Sequence, residues 1–347
     1  MITKAAVLYK IGDPLVIEEL QIPELQRGQV LVKLLYGGVC HSQLNEIKGF
    51  KGEDKYIPHT LGHEGSGVIE KIGPGVTKIR EGDYVVLSWI KGPGLDAPSS
   101  HYINSKNGKK INSGAISTFS QFAIISENRL IKISTNLPPD KAALLGCAVP
   151  TGAGIVRNTL KAKEGETIAV FGIGGIGSSA VLAADLMKCS KIIAVDIHEH
   201  KLKLAEELGA THTINSKRDD VVASIKHITG GIGVDYAIEA TGVKEAMELA
   251  FSSIKDLGTA VIAGNLKHGE KICIDPFDLI KGKKLLGTWG GETKPERDIP
   301  LYAEMYLSGK LRLDKLITTK YGLENINDAF ADLENGKVMR ALIGLLQ

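Results

Sequence analysis

The sequence has few cysteines and almost no net charge, and both shortages exclude whole classes of protein. Its 347 residues include four cysteines, which are too few for the disulfide framework of a small secreted protein. The formal net charge is +2, and no basic stripe interleaved with aromatic residues is present. A nucleic acid is therefore not an expected partner. We expect a small molecule instead.

Long apolar runs are also missing. No apolar stretch reaches the ~20 residues that cross a bilayer, because glycine or charged residues interrupt each one. The N-terminal sequence MITKAAVLYK has no apolar signal core followed by a cleavage site. At roughly 100–200 residues per domain, the length suits two domains. We expect a cytoplasmic protein that does not bind membranes.

Three potential metal ligands stand in short, glycine-containing segments that are far apart in the chain. The segments GGVCHSQ, LGHEGSG and LLGCAVPTG contain Cys40, His63 and Cys147. Two thiolates and one imidazole are a plausible zinc ligand set, and three protein ligands leave a fourth position open for water or substrate. No C-x-x-C knuckle is present, which argues against a zinc finger. The alternative, on residue types alone, is that the cysteines are small buried apolar residues.

The second half contains the pattern of a dinucleotide-binding turn. The β-branched run TIAVF precedes GIGGIG, and the helical pattern of SSAVLAADLMK follows. Gly172 permits the tight turn, Gly174 lets the backbone approach a pyrophosphate, and Gly177 allows helix and strand to pack closely. A second strand, 191–195, ends at Asp196, whose carboxylate suits the adenosine ribose hydroxyls. This acid favours NAD over NADP.

The remaining patterns predict an α/β fold. Further strand and helix pairs follow Asp196 and complete a doubly wound parallel sheet. Before residue 150, short strands and glycine turns predict a partly closed β-barrel. Lys201, one short helical step beyond Asp196, either contacts the adenosine ribose or is a solvated helix charge.

These motifs resemble those of the zinc-dependent medium-chain alcohol dehydrogenases, which join a GroES-like β-barrel catalytic domain to a doubly wound, parallel-sheet Rossmann domain. The resemblance covers nearly the whole chain, from GGVCHSQ through GHEGSG, STFSQF, GCAVPTGAG, VFGIGGIG and VDI to GKVMRALI. It implies a catalytic domain over residues 1–149 and 290–347 and an NAD-binding domain over residues 150–289. It also implies a homodimer or homotetramer formed through the nucleotide domain.

The resemblance implies roles for the residues of the metal site. Cys40, His63 and Cys147 match the ligands of one catalytic zinc ion per chain, and Glu64 matches a carboxylate of the metal site. Ser42 matches a hydroxyl that bridges the substrate oxygen and a proton relay, although a serine there could also be a helix N-cap.

Contacts with cofactor and substrate follow from the same resemblance. Trp89 and Trp289 are expected to wall the substrate pocket. His41 and Arg340 are expected on the pyrophosphate, and Thr151 behind the nicotinamide. The full set expected to bind the dinucleotide is His41, Thr151, Gly172, Gly174, Gly175, Ile176, Gly177, Asp196, Lys201 and Arg340.

The sequence departs from the family pattern at three places. Gln43 stands where relatives often carry an aspartate that binds the zinc-bound histidine, and an amide raises imidazole basicity less. Asn45 stands where some relatives place a histidine that ends the proton relay. The stretch 88–114 contains none of the four cysteines of a structural zinc site, so one metal per chain is expected. We expect this stretch to be a polar loop.

The expected activity is reversible, NAD-linked oxidation of a primary alcohol, secondary alcohol or polyol to an aldehyde or ketone. One alternative is a zinc-free quinone or enone reductase that uses NADPH, against which the paired cysteines and Asp196 argue. The other is a non-catalytic dinucleotide-binding protein, against which the presence of all three zinc ligands argues.

Overall fold

The computed structural model describes residues 1–345, which form two compact units. The first unit comprises Met1–Cys147, Lys294–Gly309 and the chain from Ile317 onward, and the second comprises Ala148–Thr293 and Lys310–Leu316. The expected boundaries after residues 149 and 289 lie within a few positions of these.

The first unit consists mostly of strands, whereas strands and helices alternate along the second. In chain order, the strands are β1 (Ile2–Leu8), β2 (Val16–Gln21), β3 (Gln29–Gly38), β4 (His59–Thr60), β5 (Glu64–Ile72), β6 (Tyr84–Ser88), β7 (Ser100–Asn104), β8 (Lys110–Ser113), β9 (Phe122–Ser126), β10 (Leu130–Lys132), β11 (Thr167–Phe171), β12 (Lys191–Asp196), β13 (His212–Asn215), β14 (Val234–Glu239), β15 (Ile254–Ile262), β16 (Lys284–Gly287), β17 (Thr319–Gly322) and β18 (Ala341–Gly344). The α-helices are α1 (His41–Ile47), α2 (Pro139–Leu144), α3 (Ala148–Gly154), α4 (Gly175–Leu186), α5 (Glu199–Leu208), α6 (Val221–Ile228), α7 (Lys244–Ser253), α8 (Pro276–Ile280), α9 (Pro295–Leu307) and α10 (Ile326–Glu334).

The first unit is a strand-rich domain, which confirms the expected barrel. Strands β1, β2, β7, β8 and β4 close into a barrel. A second sheet has the order β10-β6-β5-β3-β18-β17, and β9 adds to β3. Alternate residues of β3 and β5 point into a core that includes Val30, Val32, Leu34 and Ile69. This alternation is what a sheet with a buried face requires.

The second unit is the expected doubly wound sheet. Its strands are all parallel, in the order β13-β12-β11-β14-β15-β16. Helices connect consecutive strands, as in sheets that are covered on both faces, and the apolar residues of β11 and β12 are buried. The order reverses between β11 and β14, and ligands of such sheets bind at the carboxyl ends of strands beside this reversal.

The expectation of a polar loop over residues 88–114 is wrong in part. This stretch contains β7 and β8, which pair with each other and belong to the closed barrel. Ser100, Tyr102 and Asn104 are buried on one side of β7, and two of these three are polar. Because polar residues occupy buried positions of this strand, hydrophobic periodicity did not reveal it.

Residues 310–316 were wrongly expected in the first unit. The Arg312 guanidinium lies 3.0 Å from the Asp185 carboxylate and 3.1 Å from the Leu208 carbonyl oxygen, and both residues belong to the second unit. Leu311 and Leu313 are also fully buried. Among residues 1–345, no helix has the length and apolar character needed to span a bilayer.

Candidate functional site

The first unit brings Cys40, His63 and Cys147 together. Their potential ligand atoms all lie within 4.8 Å of one another. Cys40 immediately precedes α1, His63 follows β4, and Cys147 follows α2. Three segments separated by many residues therefore supply one small group of two sulfurs and one ring nitrogen.

The chemistry of this group fits a zinc ion. His63 Nε2 is buried and has no hydrogen-bond partner within residues 1–345. The largest influence on the pKa of the Cys40 thiol is a hydrogen bond with Cys147, which lowers it. Burial opposes this change, but His63 and Arg340 add to it, and the resulting pKa lies well below the ordinary value. A thiolate and an unprotonated ring nitrogen are the forms that bind zinc.

A glycine lies one or two residues before each potential ligand, where an added side chain would clash with its neighbours. A Cβ on Gly38 would lie 2.6 Å from the Glu64 carboxylate. One on Gly62 would lie 2.3 Å from a threonine hydroxyl, and one on Gly146 would lie 2.2 Å from a backbone carbonyl oxygen. Gly62 also has φ +101°, in the region that favours glycine. The glycines of the sequence motifs thus let the backbone approach closely enough to bring the ligand atoms together.

Gln43 orients the His63 ring. Its side-chain amide contacts His63 Nδ1. The two ends of a glutamine amide are assigned from their hydrogen bonds, and here the oxygen is the end that suits Nδ1–H. That assignment gives Gln43 Oε1 a partner, which it otherwise lacks among the described residues. It also leaves the lone pair of His63 Nε2 for a metal.

Glu64 is paired with Arg340, and the role expected for its carboxylate near the metal stays a prediction. Arg340 Nη2 contacts Glu64 Oε1, and the two residues are 4% and 0% exposed. Within residues 1–345, the group of converging ligand atoms does not include the Glu64 carboxylate. The guanidinium holds that carboxylate, and its positive charge also acts on Cys40. The expected contact between Arg340 and the pyrophosphate stays a prediction.

Ser42 lies inside the first turn of α1. The backbone N–H groups of Gln43 and Leu44 donate to the Cys40 carbonyl oxygen at 3.1 and 3.3 Å, so Cys40 is the N-cap residue. The alternative that Ser42 caps the helix is therefore wrong. Its side chain is half-buried, that of His41 is exposed, and the roles expected for both residues stay predictions.

The two tryptophans differ in their surroundings. The Trp89 ring lies edge-on to the His63 imidazole, with 6.5 Å between ring centroids, as expected of an aromatic beside the metal site. Trp289 follows β16 in the second unit, and its side chain is 78% exposed. Strand β16 is at the edge of its sheet, and the expected place of Trp289 in a pocket wall stays a prediction.

In the second unit, the glycines of the turn have backbone geometry and surroundings that suit their expected roles, and the approach of a pyrophosphate to Gly174 stays a prediction. Gly172 has φ +87°. A Cβ on Gly177 would lie 1.9 Å from the Gly172 carbonyl oxygen, whereas one on Gly174 would meet nothing within 4 Å. The space at Gly174 is open to a ligand, and Gly175 and Ile176 follow it as the first residues of α4. Their N–H groups are at the positive end of the helix, which suits phosphate.

Asp196 lies at the end of β12, beside this turn. Its two carboxylate oxygens accept hydrogen bonds from the backbone N–H groups of Ile173, at 2.7 Å, and His198, at 3.0 Å. These bonds fix the carboxylate and leave lone pairs for further donors.

Lys201 is only 8% exposed, so it is not the solvated charge of the alternative interpretation. Thr151 Oγ1, in α3, is buried and lacks a hydrogen-bond partner in the described chain.

Sequence reasoning missed Glu239, a fully buried acid at the end of β14. Its Oε1 accepts hydrogen bonds from the Thr241 N–H, the Thr241 hydroxyl and the Gly242 N–H at 2.6–2.8 Å. Burial raises the pKa of Glu239 in spite of these donors. In register, Glu239 stands beside Phe171, the residue before the glycine turn. An acid that ends an apolar strand was the available signal.

Comparisons with known proteins agree with this geometry. A family described as "Alcohol dehydrogenase GroES-like domain" matches residues 26–135, and one described as "Zinc-binding dehydrogenase" matches residues 175–306. The chain is 34% identical to S-(hydroxymethyl)glutathione dehydrogenase of Synechocystis, over 99% of this chain and 100% of that protein. It is also 34% identical to the crystal structure of benzyl alcohol dehydrogenase from Acinetobacter calcoaceticus, with a TM-score of 0.91 and full coverage of both chains. An alcohol dehydrogenase zinc-binding domain protein from Burkholderia ambifaria is 34% identical, with a TM-score of 0.92 and full coverage of both chains.

Proposed function

The chain belongs to the zinc-dependent medium-chain alcohol dehydrogenases, and from this premise we propose that it oxidises an alcohol reversibly to an aldehyde or ketone with NAD. The convergence of the Cys40 and Cys147 sulfurs with the unpartnered Nε2 of His63 carries the proposal. These residues would hold a zinc ion, which would supply Lewis-acid polarisation of the substrate oxygen, and bound NAD would supply the hydride acceptor.

The side chains around the three ligands have tasks that follow from their contacts. Gln43 holds the His63 ring so that Nε2 points at the sulfurs. Arg340 compensates the buried charge of Glu64 and favours the Cys40 thiolate. Ser42 accepts the hydroxyl proton that the alcohol loses and passes it toward solvent, which the half-buried position of its side chain allows.

The second unit is suited to hold NAD. The open space at Gly174 and the N–H groups at the start of α4 suit the pyrophosphate. The fixed carboxylate of Asp196 binds the adenosine ribose hydroxyls and repels a 2′-phosphate, so NAD is favoured over NADP. The buried, unpartnered Thr151 hydroxyl is available to the nicotinamide end of the cofactor.

The names of the relatives direct the choice of substrates. S-(hydroxymethyl)glutathione and benzyl alcohol are the first compounds to test, followed by simple primary alcohols, secondary alcohols and polyols. Both named compounds carry a –CH2OH group, so we favour a substrate with such a group.

We also propose a cytoplasmic homo-oligomer that forms through the second unit, as a homodimer or homotetramer. Strand β16 is at the edge of the parallel sheet. Large apolar side chains on or near this strand are exposed, among them Leu286 at 42% and Trp289 at 78%. Such a patch beside an open strand edge supports association with a second copy. A single-copy mass in multi-angle light scattering would contradict it.

The decisive experiment combines a metal measurement with an absorbance assay. NADH formation is followed at neutral pH over the alcohol panel, for the wild type and for Cys147→Ser. The variant should lose turnover and the catalytic zinc ion but keep its affinity for NAD, because Cys147 lies outside the second unit. Cys189→Ser is the matched control, since it removes a buried cysteine that is not a ligand. Full turnover by Cys147→Ser would overturn the ligand assignment.

A further inference from the structure

A second group of side chains that could bind a metal ion lies in the first unit, separate from the three expected catalytic ligands. It consists of Glu46, Asp54 and His59, whose potential ligand atoms all lie within 4.8 Å of one another. Glu46 is in the last turn of α1, Asp54 is in the segment between α1 and β4, and His59 begins β4. The proposed reaction uses none of these residues.

A contact from outside the group fixes the direction of the buried His59 ring. Nδ1 lies 3.0 Å from the Thr60 carbonyl oxygen, which can only accept, so Nδ1 carries a hydrogen. The other nitrogen, Nε2, lies 2.8 Å from Asp54 Oδ2 and 3.7 Å from Glu46 Oε1. A neutral ring would direct its lone pair at two carboxylates. The geometry therefore requires either a hydrogen or a cation between the ring nitrogen and these carboxylates.

The other charges near the group do not remove this requirement. Lys51 Nζ lies 2.8 Å from Glu46 Oε2, and the Tyr56 N–H donates to Asp54 Oδ1 at 2.9 Å. One lysine against two carboxylates leaves one negative charge when His59 is neutral. The side chains of Asp54 and His59 are 11% and 9% exposed, so water screens this charge poorly.

We propose that Glu46, Asp54 and His59 bind a divalent metal ion, for which zinc is the probe. Two carboxylates and one imidazole are ligands that zinc accepts, and an ion between them would supply the missing positive charge. Without the metal, a hydrogen bond between Nε2 and Asp54 Oδ2 is the alternative that their 2.8 Å separation allows.

The proposed ion would stabilise the frame of the catalytic site without touching the substrate. It joins the end of α1 to the start of β4. Gln43 in α1 contacts the His63 ring, and β4 ends three residues before His63. The second ion thus holds together the two elements that position this ligand.

Metal content of the full chain tests the proposal. Each protein is loaded with Zn²⁺ at pH 7.5, freed of unbound metal and analysed by elemental mass spectrometry. The wild type should hold about two zinc ions per chain, and His59→Gln, Asp54→Asn and Cys147→Ser should each hold about one. The double variant Cys147→Ser/His59→Gln should hold almost none. Glu53→Gln is the matched control, because Glu53 is an exposed carboxylate beside the group.

The outcomes separate this proposal from the proposed function. About one zinc ion in both the wild type and His59→Gln would show that only a hydrogen lies between the ring nitrogen and the two carboxylates and would overturn the second site. Asp54→Asn provides the same test if His59→Gln fails to fold. If Cys147→Ser keeps turnover, the catalytic assignment fails, whereas the effect of His59→Gln on metal content still decides the second site.

Discussion

Replacement of the buried carboxylate of Glu127 should destabilise the first unit strongly. Glu127 is 1% exposed and accepts three backbone hydrogen bonds, from Thr77 and Lys78 at Oε1 and from Leu95 at Oε2, at 2.7–2.8 Å. It thereby ties two loops to the end of β9, in the region where the sequence lacks the cysteines of a structural zinc site. We expect this carboxylate to supply the cross-link that a metal would otherwise provide.

The magnitude follows from the number and kind of hydrogen bonds. In Glu127→Gln, one carboxylate oxygen becomes an NH₂ group that faces a backbone N–H, so at least one bond to a charged acceptor, worth about 1.5–3 kcal/mol, is lost. The remaining bonds lose their charge assistance, which is roughly half of their strength. We expect the free energy of unfolding to fall by about 3 kcal/mol, a large part of the roughly 5–15 kcal/mol of a typical protein.

The pH dependence gives an independent test. Burial alone would raise the pKa of Glu127, but the backbone donors and Lys78 outweigh it and lower the pKa below the ordinary value. A carboxyl with a depressed folded-state pKa stabilises the protein above its unfolded pKa of about 4.3. That contribution disappears as the pH falls through the folded pKa. The difference between wild type and variant should therefore be full at pH 7 and should narrow below about pH 4.3.

Urea unfolding followed by tryptophan fluorescence can isolate the first unit. The sequence has two tryptophans, so a Trp289→Phe background leaves Trp89 as the only indole and reports on the first unit. Glu81→Gln is the matched control, because Glu81 is an exposed acid in the same unit. Equal urea midpoints for Glu127→Gln and Glu81→Gln would refute the reasoning, as would a difference that stays constant as the pH falls.

Three further predictions concern the two sites and the free thiols. Gln43→Glu places a carboxylate on His63 Nδ1 and should raise zinc affinity about tenfold in chelator competition, and unchanged affinity would mean that the amide does not orient the ring. Asp196→Ser should shift the ratio of kcat/KM values toward NADP by at least about tenfold, because one charged acceptor near the ribose is lost. Iodoacetamide at pH 8 should label the exposed Cys273 and spare Cys189, whose pKa is raised to about 11 by burial, and peptide mass spectrometry would reveal the reverse order.

The parts of the molecule that follow from backbone requirements could be predicted from the sequence. The glycine turn is the clearest case, because the positive φ of Gly172 and the contact between Gly177 and the Gly172 carbonyl are properties of glycine alone. The ligand residues Cys40 and Cys147 were visible for a related reason, since both stand in glycine-containing segments. Short sequence patterns therefore reveal the positions where the local backbone requires glycine.

The parts that depend on side chains from distant segments could not be predicted. Glu127 is a buried acid that accepts backbone hydrogen bonds from distant loops, and no periodicity marks such a residue. Strand β7 was missed because Ser100 and Asn104 occupy its inward positions. The pairing of Glu64 with Arg340 joins residues from opposite ends of the chain, and the sequence alone gave each of them a different partner.

The place of β18 in the first unit affects the order in which the protein can mature during synthesis. This strand lies between β3 and β17 in the sheet, and it follows the continuous stretch from Ala148 to Thr293 in the chain. That stretch therefore emerges from the ribosome before Arg340 does. The nucleotide-binding half is free to fold at that stage, whereas the buried charge of Glu64 gains its partner only after Arg340 has emerged. On the nascent polypeptide, the second unit can thus become stable before the surroundings of the expected metal centre are complete.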